Sequence, residues 1–235
     1  MGKRAQKAKE TKEAIYQAAA KVVGRVGYAK ASMAAIAAEA GVSYGGIYLY
    51  FENQQDLFNK LLPHIGEAML TYIAEETKGA RTTAERERLG LQANLTYVHR
   101  NPELHRVLNE AAFFAPDSYK TYFKRMVDGY RRSLQLGIRK GELQHFTEEE
   151  TETLALMFIG AREYMLQRYS VRDDLIEMPP VEVQHTYLKA YAMALGFSPE
   201  EVLGADIGTA ATQAAKDKPK QGPKAAVRKL KGDKQ

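Results

Sequence analysis

Apolar residues recur along this chain at intervals of three and four, and the alternation that marks strands is almost missing. Ile15, Ala18, Ala19, Val22, Val23 and Val26 form one stripe of an amphipathic helix, and Gly27 stops it. Ser32 is placed to cap a second, short helix from Met33 to Ala40, closed by Gly41. Ser43 is placed to cap a third, ending near Phe51. A long helix follows from Gln54 to Glu76, carried by Leu57, Leu61, Leu62, Ile65, Met69, Leu70 and Ile73. Pro63 lies inside it and removes a backbone donor, so a bend or break is expected there. Further helices are predicted over Thr83–His99, Pro102–Phe114, Asp117–Lys140, Thr147–Tyr169 and Val181–Leu195. Pro102 suits a helix start, Gly141 follows basic residues at a helix end, and Thr147–Glu150 and Ser198–Glu201 read as capping boxes.

The pattern implies an all-α protein, and 235 residues with 45% hydrophobic and 27% charged side chains are ordinary for a globular one. No apolar run approaches the roughly 18 residues that a membrane span needs. Lys21 and Arg25 interrupt the apolar stretch behind the basic N-terminus, so it does not read as a signal peptide, and a cytoplasmic protein is expected. The net charge of +5 is unevenly spread. Residues 1–60 carry +4, residues 216–235 carry +6, and the stretch between them is acidic at −5. A basic N-terminal part is the electrostatic footprint of a DNA-reading surface. From about Ala205 the apolar periodicity dissolves into Ala, Lys, Gln, Gly and Pro, and a disordered basic tail over 205–235 is expected.

The informative segment runs from Met33 to Phe51. Two short helices joined by a turn containing glycine form the DNA-binding helix-turn-helix arrangement. Ala37 is small where the helices cross, Gly41 supplies a positive φ at the turn, and Ile36, Val42 and Ile47 make the small core between the helices. Ser43 caps the second helix, whose N-terminus then faces phosphate or base edges.

Here the chain resembles the TetR family of bacterial regulators. The resemblance runs through Thr11, Ile15, Ala18-Ala19, Gly27-Tyr28, Ser32-Met33, Ile36-Ala37, Ala40-Gly41-Val42-Ser43, Gly46, Tyr48, Tyr50-Phe51, Asn53 and Leu57. It implies a basic N-terminal arm over 1–10, a three-helix DNA-binding domain over 11–53, and a helical ligand-binding and dimerisation domain over 54–204. It also implies that Ser32, Ser43, Tyr44, Gly45, Tyr48 and Tyr50 lie at the DNA. The residue chemistry agrees for the tyrosines and glycine, because phenol hydroxyls bond phosphate oxygens and glycine admits the duplex closely. Packing as core aromatics is the competing role for Tyr48 and Tyr50. Lys3, Arg4, Lys7 and Lys9 either reach an adjacent groove or form a solvated, frayed terminus. The chain departs from the family at Gln54-Gln55, where members often carry lysine at a phosphate.

The middle of the chain is rich in tyrosine, phenylalanine and methionine. Buried tyrosine needs a hydrogen-bond partner, which suits an apolar cavity with a few polar anchors. Phe113, Phe114, Tyr122, Phe123, Met126, Phe158 and Arg162 are the candidate ligand-binding residues. Arg162 stands on an otherwise apolar helix; it either pairs with Glu163 or another carboxylate at a dimer interface, or anchors an anionic ligand. The segment from Asn101 to Phe114, with Gly141-Glu142-Leu143, resembles TetR-type regulators of fatty or aromatic acyl-CoA metabolism. That resemblance implies a fatty or aromatic acid, or its CoA thioester, as effector. By the family resemblance, the helices over Thr147–Tyr169 and Val181–Leu195 pair with those of a second copy, giving a homodimer on a palindromic operator.

Cysteine is absent, the five histidines show no metal-ligand spacing, and neither a phosphate-binding glycine loop nor a nucleophile elbow is present. No cofactor, metal or enzymatic activity is expected. The leading expectation is a ligand-responsive repressor; the competing one is an architectural DNA-binding protein that takes no small molecule.

Overall fold

The computed structural model describes residues 2–172 and 175–204, which form one compact helical unit. The helices are α1 (Lys3–Val26), α2 (Met33–Glu39), α3 (Tyr44–Ile47), α4 (Gln54–Thr77), α5 (Thr83–Arg100), α6 (Glu103–Phe114), α7 (Pro116–Arg139), α8 (Thr151–Tyr169), α9 (Val181–Leu195) and α10 (Pro199–Leu203). Between α8 and α9 the chain makes a two-residue antiparallel ladder, β1 (Val171–Arg172) on β2 (Leu175–Ile176), which the helical periodicity gives no sign of. The expected basic tail over 205–235 lies outside the described residues.

The N-terminal core forms where the stripes predict it. Ile15, Ala19 and Val23 of α1, Ile36 of α2, Ile47 of α3 and Leu57 of α4 are shut off from solvent, and Tyr16 meets Phe51 edge-on at 5.2 Å. Ala37 is buried at the crossing, whereas Val42 stays partly exposed. Gly41 takes φ +67°, the left-handed turn that a side chain would resist. Ser32 and Ser43 both cap: their hydroxyls accept from the amides of Ala35 and Gly46 at 3.2 and 3.0 Å.

Three expectations are corrected here. Residues 3–10, all exposed, are not an arm but the first turns of α1, a helix of 24 residues. The third helix ends at Ile47 rather than near Phe51, and residues 48–50 continue as turn. Pro63 does not break α4, which runs through it to Thr77. The Thr147 cap also works as expected, with the Thr147 amide donating to Glu150 at 2.8 Å, but the first turn it opens is a 3-10 turn before α8.

α4 begins with the Asn53 cap and packs along α5 and α7, so its far end walls the body while its start closes the N-terminal core. The contact with α7 is backbone-close: a Cβ at Gly66 would collide with the ring of Tyr122. Nearby, the Ser118 hydroxyl donates to the Asn59 carbonyl. α6 grips the end of α1: Arg106 Nη1 donates to the Arg25 carbonyl at 3.2 Å, and Glu110 accepts from the Tyr28 amide at 2.8 Å. Arg106 and Glu110 hold one another at 2.7 Å, so the grip is a closed network.

Candidate nucleic-acid interface and ligand cavity

α3 owes its shape to three short-range facts. Ser43 caps it, Ile47 anchors it in the core, and its other side chains face outward. Tyr44 is 58% exposed and Tyr48 40% exposed, so neither is core. Their hydroxyls lie 3.0 Å apart, one turn along the helix, with the rings edge to face. That shared hydrogen bond raises the Tyr48 pKa. Two phenols placed together on an exposed helix and the turn that follows it can bond adjacent phosphate oxygens. Tyr50 is partly buried, and Ser32 and Ser43 spend a lone pair on their caps while remaining exposed.

The adjacent glycines differ. A Cβ at Gly45 would meet nothing within 4 Å, whereas one at Gly46 would press on the Ser43 hydroxyl at 2.8 Å. Gly46 therefore serves the cap, and Gly45 leaves an open approach to the backbone. Sequence reasoning passed over Leu49, which is 84% exposed beside the tyrosines and is suited to a thymine methyl group. The two glutamines at the family's lysine position bond the protein itself. Gln54 donates to the Ala31 carbonyl and Gln55 to the Phe114 carbonyl, each at 2.8 Å.

A half-open cavity of about 990 Å³ lies between α4, α5, α6, α7 and α8. Met69, Leu70 and Ile73 line it from α4, Tyr122, Phe123 and Met126 from α7, and Ile159 and Arg162 from α8. Four of the seven expected ligand-binding residues are thus brought together: Tyr122, Phe123, Met126 and Arg162. Phe113, Phe114 and Phe158 are not. Phe113 points to solvent at 85% exposed, Phe114 stacks on Tyr28 at the α1–α6 junction, and Phe158 is buried against Tyr191. Aromatic content alone does not separate a cavity wall from ordinary packing.

Arg162 is already paired, and its partner is neither Glu163 nor a residue of a second copy. It forms an ion pair with Glu87 at 2.5 Å, with side chains only 11% and 3% exposed. Tyr130 and Tyr187 also donate to Glu87, at 2.5 and 2.6 Å, and Arg162 donates to the Tyr187 hydroxyl at 3.0 Å. Burial raises the pKa of both tyrosines, which keeps their hydroxyls protonated as donors. Glu87 was missed in the sequence, although it carries a signal. Ala84, Glu87, Leu91, Leu95 and Val98 follow helical spacing, so the carboxylate falls on the buried stripe of α5. A second polar group lines the cavity nearby, comprising His105, Asn109, Tyr122 and Glu163. Burial raises the Glu163 pKa, with a hydrogen bond from Asn109 pulling the other way, and burial lowers that of His105. Among the described residues no helix is long and apolar enough to cross a membrane, and no cluster of histidine and acidic side chains could hold a metal.

A capped helix-turn-helix presenting paired phenols, on a helical body around a large cavity, defines a DNA-binding regulator. Residues 15–61 match the family model of bacterial regulatory proteins, tetR family. The N-terminal part of the chain is thus similar to the DNA-binding domain of TetR-family transcriptional regulators. Among curated relatives, the nucleoid occlusion factor SlmA of Vibrio vulnificus is 29% identical over 173 residues, covering 72% of this chain and 87% of that protein. Among solved structures, the fatty acid degradation regulator FadR from Bacillus halodurans superposes with a TM-score of 0.63 at 22% identity, over 76% of this chain and 93% of that one. The FadR of Bacillus subtilis, solved in complex with stearoyl-CoA, gives 0.61 at 21% identity, over 75% and 95%. At these identities the structural matches establish a shared fold.

Proposed function

We propose that this protein is a cytoplasmic, ligand-responsive repressor that binds a palindromic operator as a homodimer and is released by an apolar or acyl effector. The observation that carries the reading is the cavity: about 990 Å³, walled in part by the same α4 whose first turns close the DNA-binding core. Tyr44, Gly45 and Tyr48, with the exposed Ser32 and Ser43, are the residues assigned to DNA, and Tyr50 stands at the edge of that surface. Tyr122, Phe123 and Met126 are assigned to the effector. Exposed apolar side chains on α8 and α9, namely Met157, Tyr164 and Met193, support a two-fold contact through those helices. Such a dimer sets half-sites about 34–36 Å apart, or a multiple of that.

Release requires that the effector bind the DNA-incompetent form more tightly, since equal affinity for both forms shifts nothing. The test is fluorescence anisotropy on an operator obtained by in vitro selection, titrated with and without fatty acids, aromatic acids and their CoA thioesters. A coupling of about 1–3 kcal/mol weakens operator affinity about 5- to 150-fold, and operator weakens effector binding by the same factor. A tightly binding effector with no such reciprocity overturns the release mechanism. A second reading draws on the curated relatives, whose name makes them nucleoid occlusion factors. On that reading the chain is a DNA-associated factor without an effector, and operator affinity is indifferent to every compound tried.

A further inference from the structure

Residues 3–12 hold five cations, Lys3, Arg4, Lys7, Lys9 and Lys12, and one carboxylate, Glu10. All six side chains are exposed, and among the described residues none of the cations has a carboxylate within ion-pair distance. Glu10 accepts from Gln6 instead, at 2.8 Å. Like charges one helical turn apart, as at Lys3 and Lys7, destabilise a helix, so the cluster contributes nothing to the fold. The helix nevertheless brings it to a defined place. α6 holds the far end of α1 against the body, and the first turns therefore point away from it. The stripe of Ile15, Ala19 and Val22, buried in the N-terminal core, continues backwards at steps of three and four as Lys12, Ala8 and Arg4. Lys12 Nζ lies 5.8 Å from the centre of the Phe51 ring and Lys60 Nζ 5.9 Å from it, so the stripe leaves the core beside the turn that follows α3. Arg4 stands about 12 Å further along the axis.

We infer that Arg4 and Lys12 bond phosphates of the DNA that α3 engages, making the first turns of α1 a rigid backbone clamp beside the reader. A helix about 10–12 Å wide does not enter a minor groove about 6 Å wide, so these turns do not read it as an extended arm would. The stripe offers cations separated by Ala8, and cations on phosphate oxygens fix register without selecting bases. Lys3, Lys7 and Glu10 follow one another at steps of four and three along a different side, where the carboxylate offsets part of the charge. The inference rests on α3 being the DNA reader and adds two residues to its interface.

The test is fluorescence anisotropy of the full-length protein on an operator obtained by in vitro selection, titrated from about 50 to about 200 mM salt. Two double variants remove equal charge: Arg4→Gln with Lys12→Gln, and Lys3→Gln with Lys7→Gln. All four side chains are exposed, so both variants should keep the parent's circular dichroism. Each lost phosphate contact lowers the slope of log affinity against log salt by about 0.9. The first variant should therefore lose about 1.8 from the slope per bound protomer, and over that salt range the parent should weaken about 10-fold more than the variant. The second should stay close to the parent. If Lys12→Gln melts lower through its contact with Phe51, Arg4→Gln alone carries the test with half the change in slope. Selection repeated with the first variant should return the parent's consensus. Equal losses from the two variants make the effect one of net charge, and an altered consensus makes it base reading; either overturns the inference while leaving α3 the reader. Failure of the parent to select any operator overturns both.

Discussion

The pairing of Arg162 with Glu87 makes a prediction that separates a structural arginine from a ligand anchor. Removing either partner strands a charge in the interior. Glu87→Leu leaves the guanidinium with the Tyr187 hydroxyl alone, and Arg162→Met leaves the carboxylate with two tyrosine donors. Breaking a buried pair from one side costs about 3–5 kcal/mol. At about 2–4 °C per kcal/mol for a domain of this size, each single variant should melt roughly 6–20 °C lower. Combining the two restores part of this, because no charge is left unpaired. Restoration stays incomplete until Tyr130→Phe and Tyr187→Phe are added, since each hydroxyl has lost its acceptor at about 1–3 kcal/mol. Urea denaturation followed by far-UV circular dichroism reads the cycle, at one protein concentration because association is linked to folding. The reasoning is refuted if Arg162→Met costs less than about 1 kcal/mol and the double variant equals the sum of the singles, the signature of uncoupled sites.

Three further outcomes follow from the geometry. Tyr48→Ala should weaken operator binding with unchanged circular dichroism, since the side chain is exposed; gel-shift titration checks this, and unaltered affinity removes Tyr48 from the interface. Gly45→Ala should stabilise the protein by up to about 1 kcal/mol in thermal melts yet lose operator affinity, whereas Gly46→Ala should destabilise it through the Ser43 cap. Glu163 holds its proton more tightly in the folded protein than the ordinary value of 4.5 implies, so its contribution is intact below that pH and lost as pH rises through the raised value. Glu163→Gln should therefore exceed the parent in stability on the alkaline side of that window and match it on the acid side, as denaturation across pH will show.

The sequence made the helices legible because their signals are local. Apolar spacing, the Ser32, Ser43 and Ser198 caps and the turn at Gly41 act within a few residues of themselves. The exposed tyrosines were legible because a short capped helix with one inward residue, Ile47, must turn the rest outward. The cavity wall was only half legible. Phe158 and Tyr122 look alike in sequence, and which of them faces the cavity is decided by how α7 and α8 are rotated. The partner of Arg162 lies 75 residues away on α5, a separation that no local pattern reports.

The grip of α6 on α1 bears on how such regulators can be recombined. A chimera joined at the start of α4 would transplant the reader with its own turn at Tyr28 but leave Arg106 and Glu110 behind in the donor body. The Tyr28 amide and the carbonyl of Arg25 would then meet whatever the new body offers. Exchange of DNA specificity between bodies is thus constrained at two positions far outside the reader. A graft that carries Arg106 and Glu110 with it preserves the seam that a graft of the first 53 residues cuts.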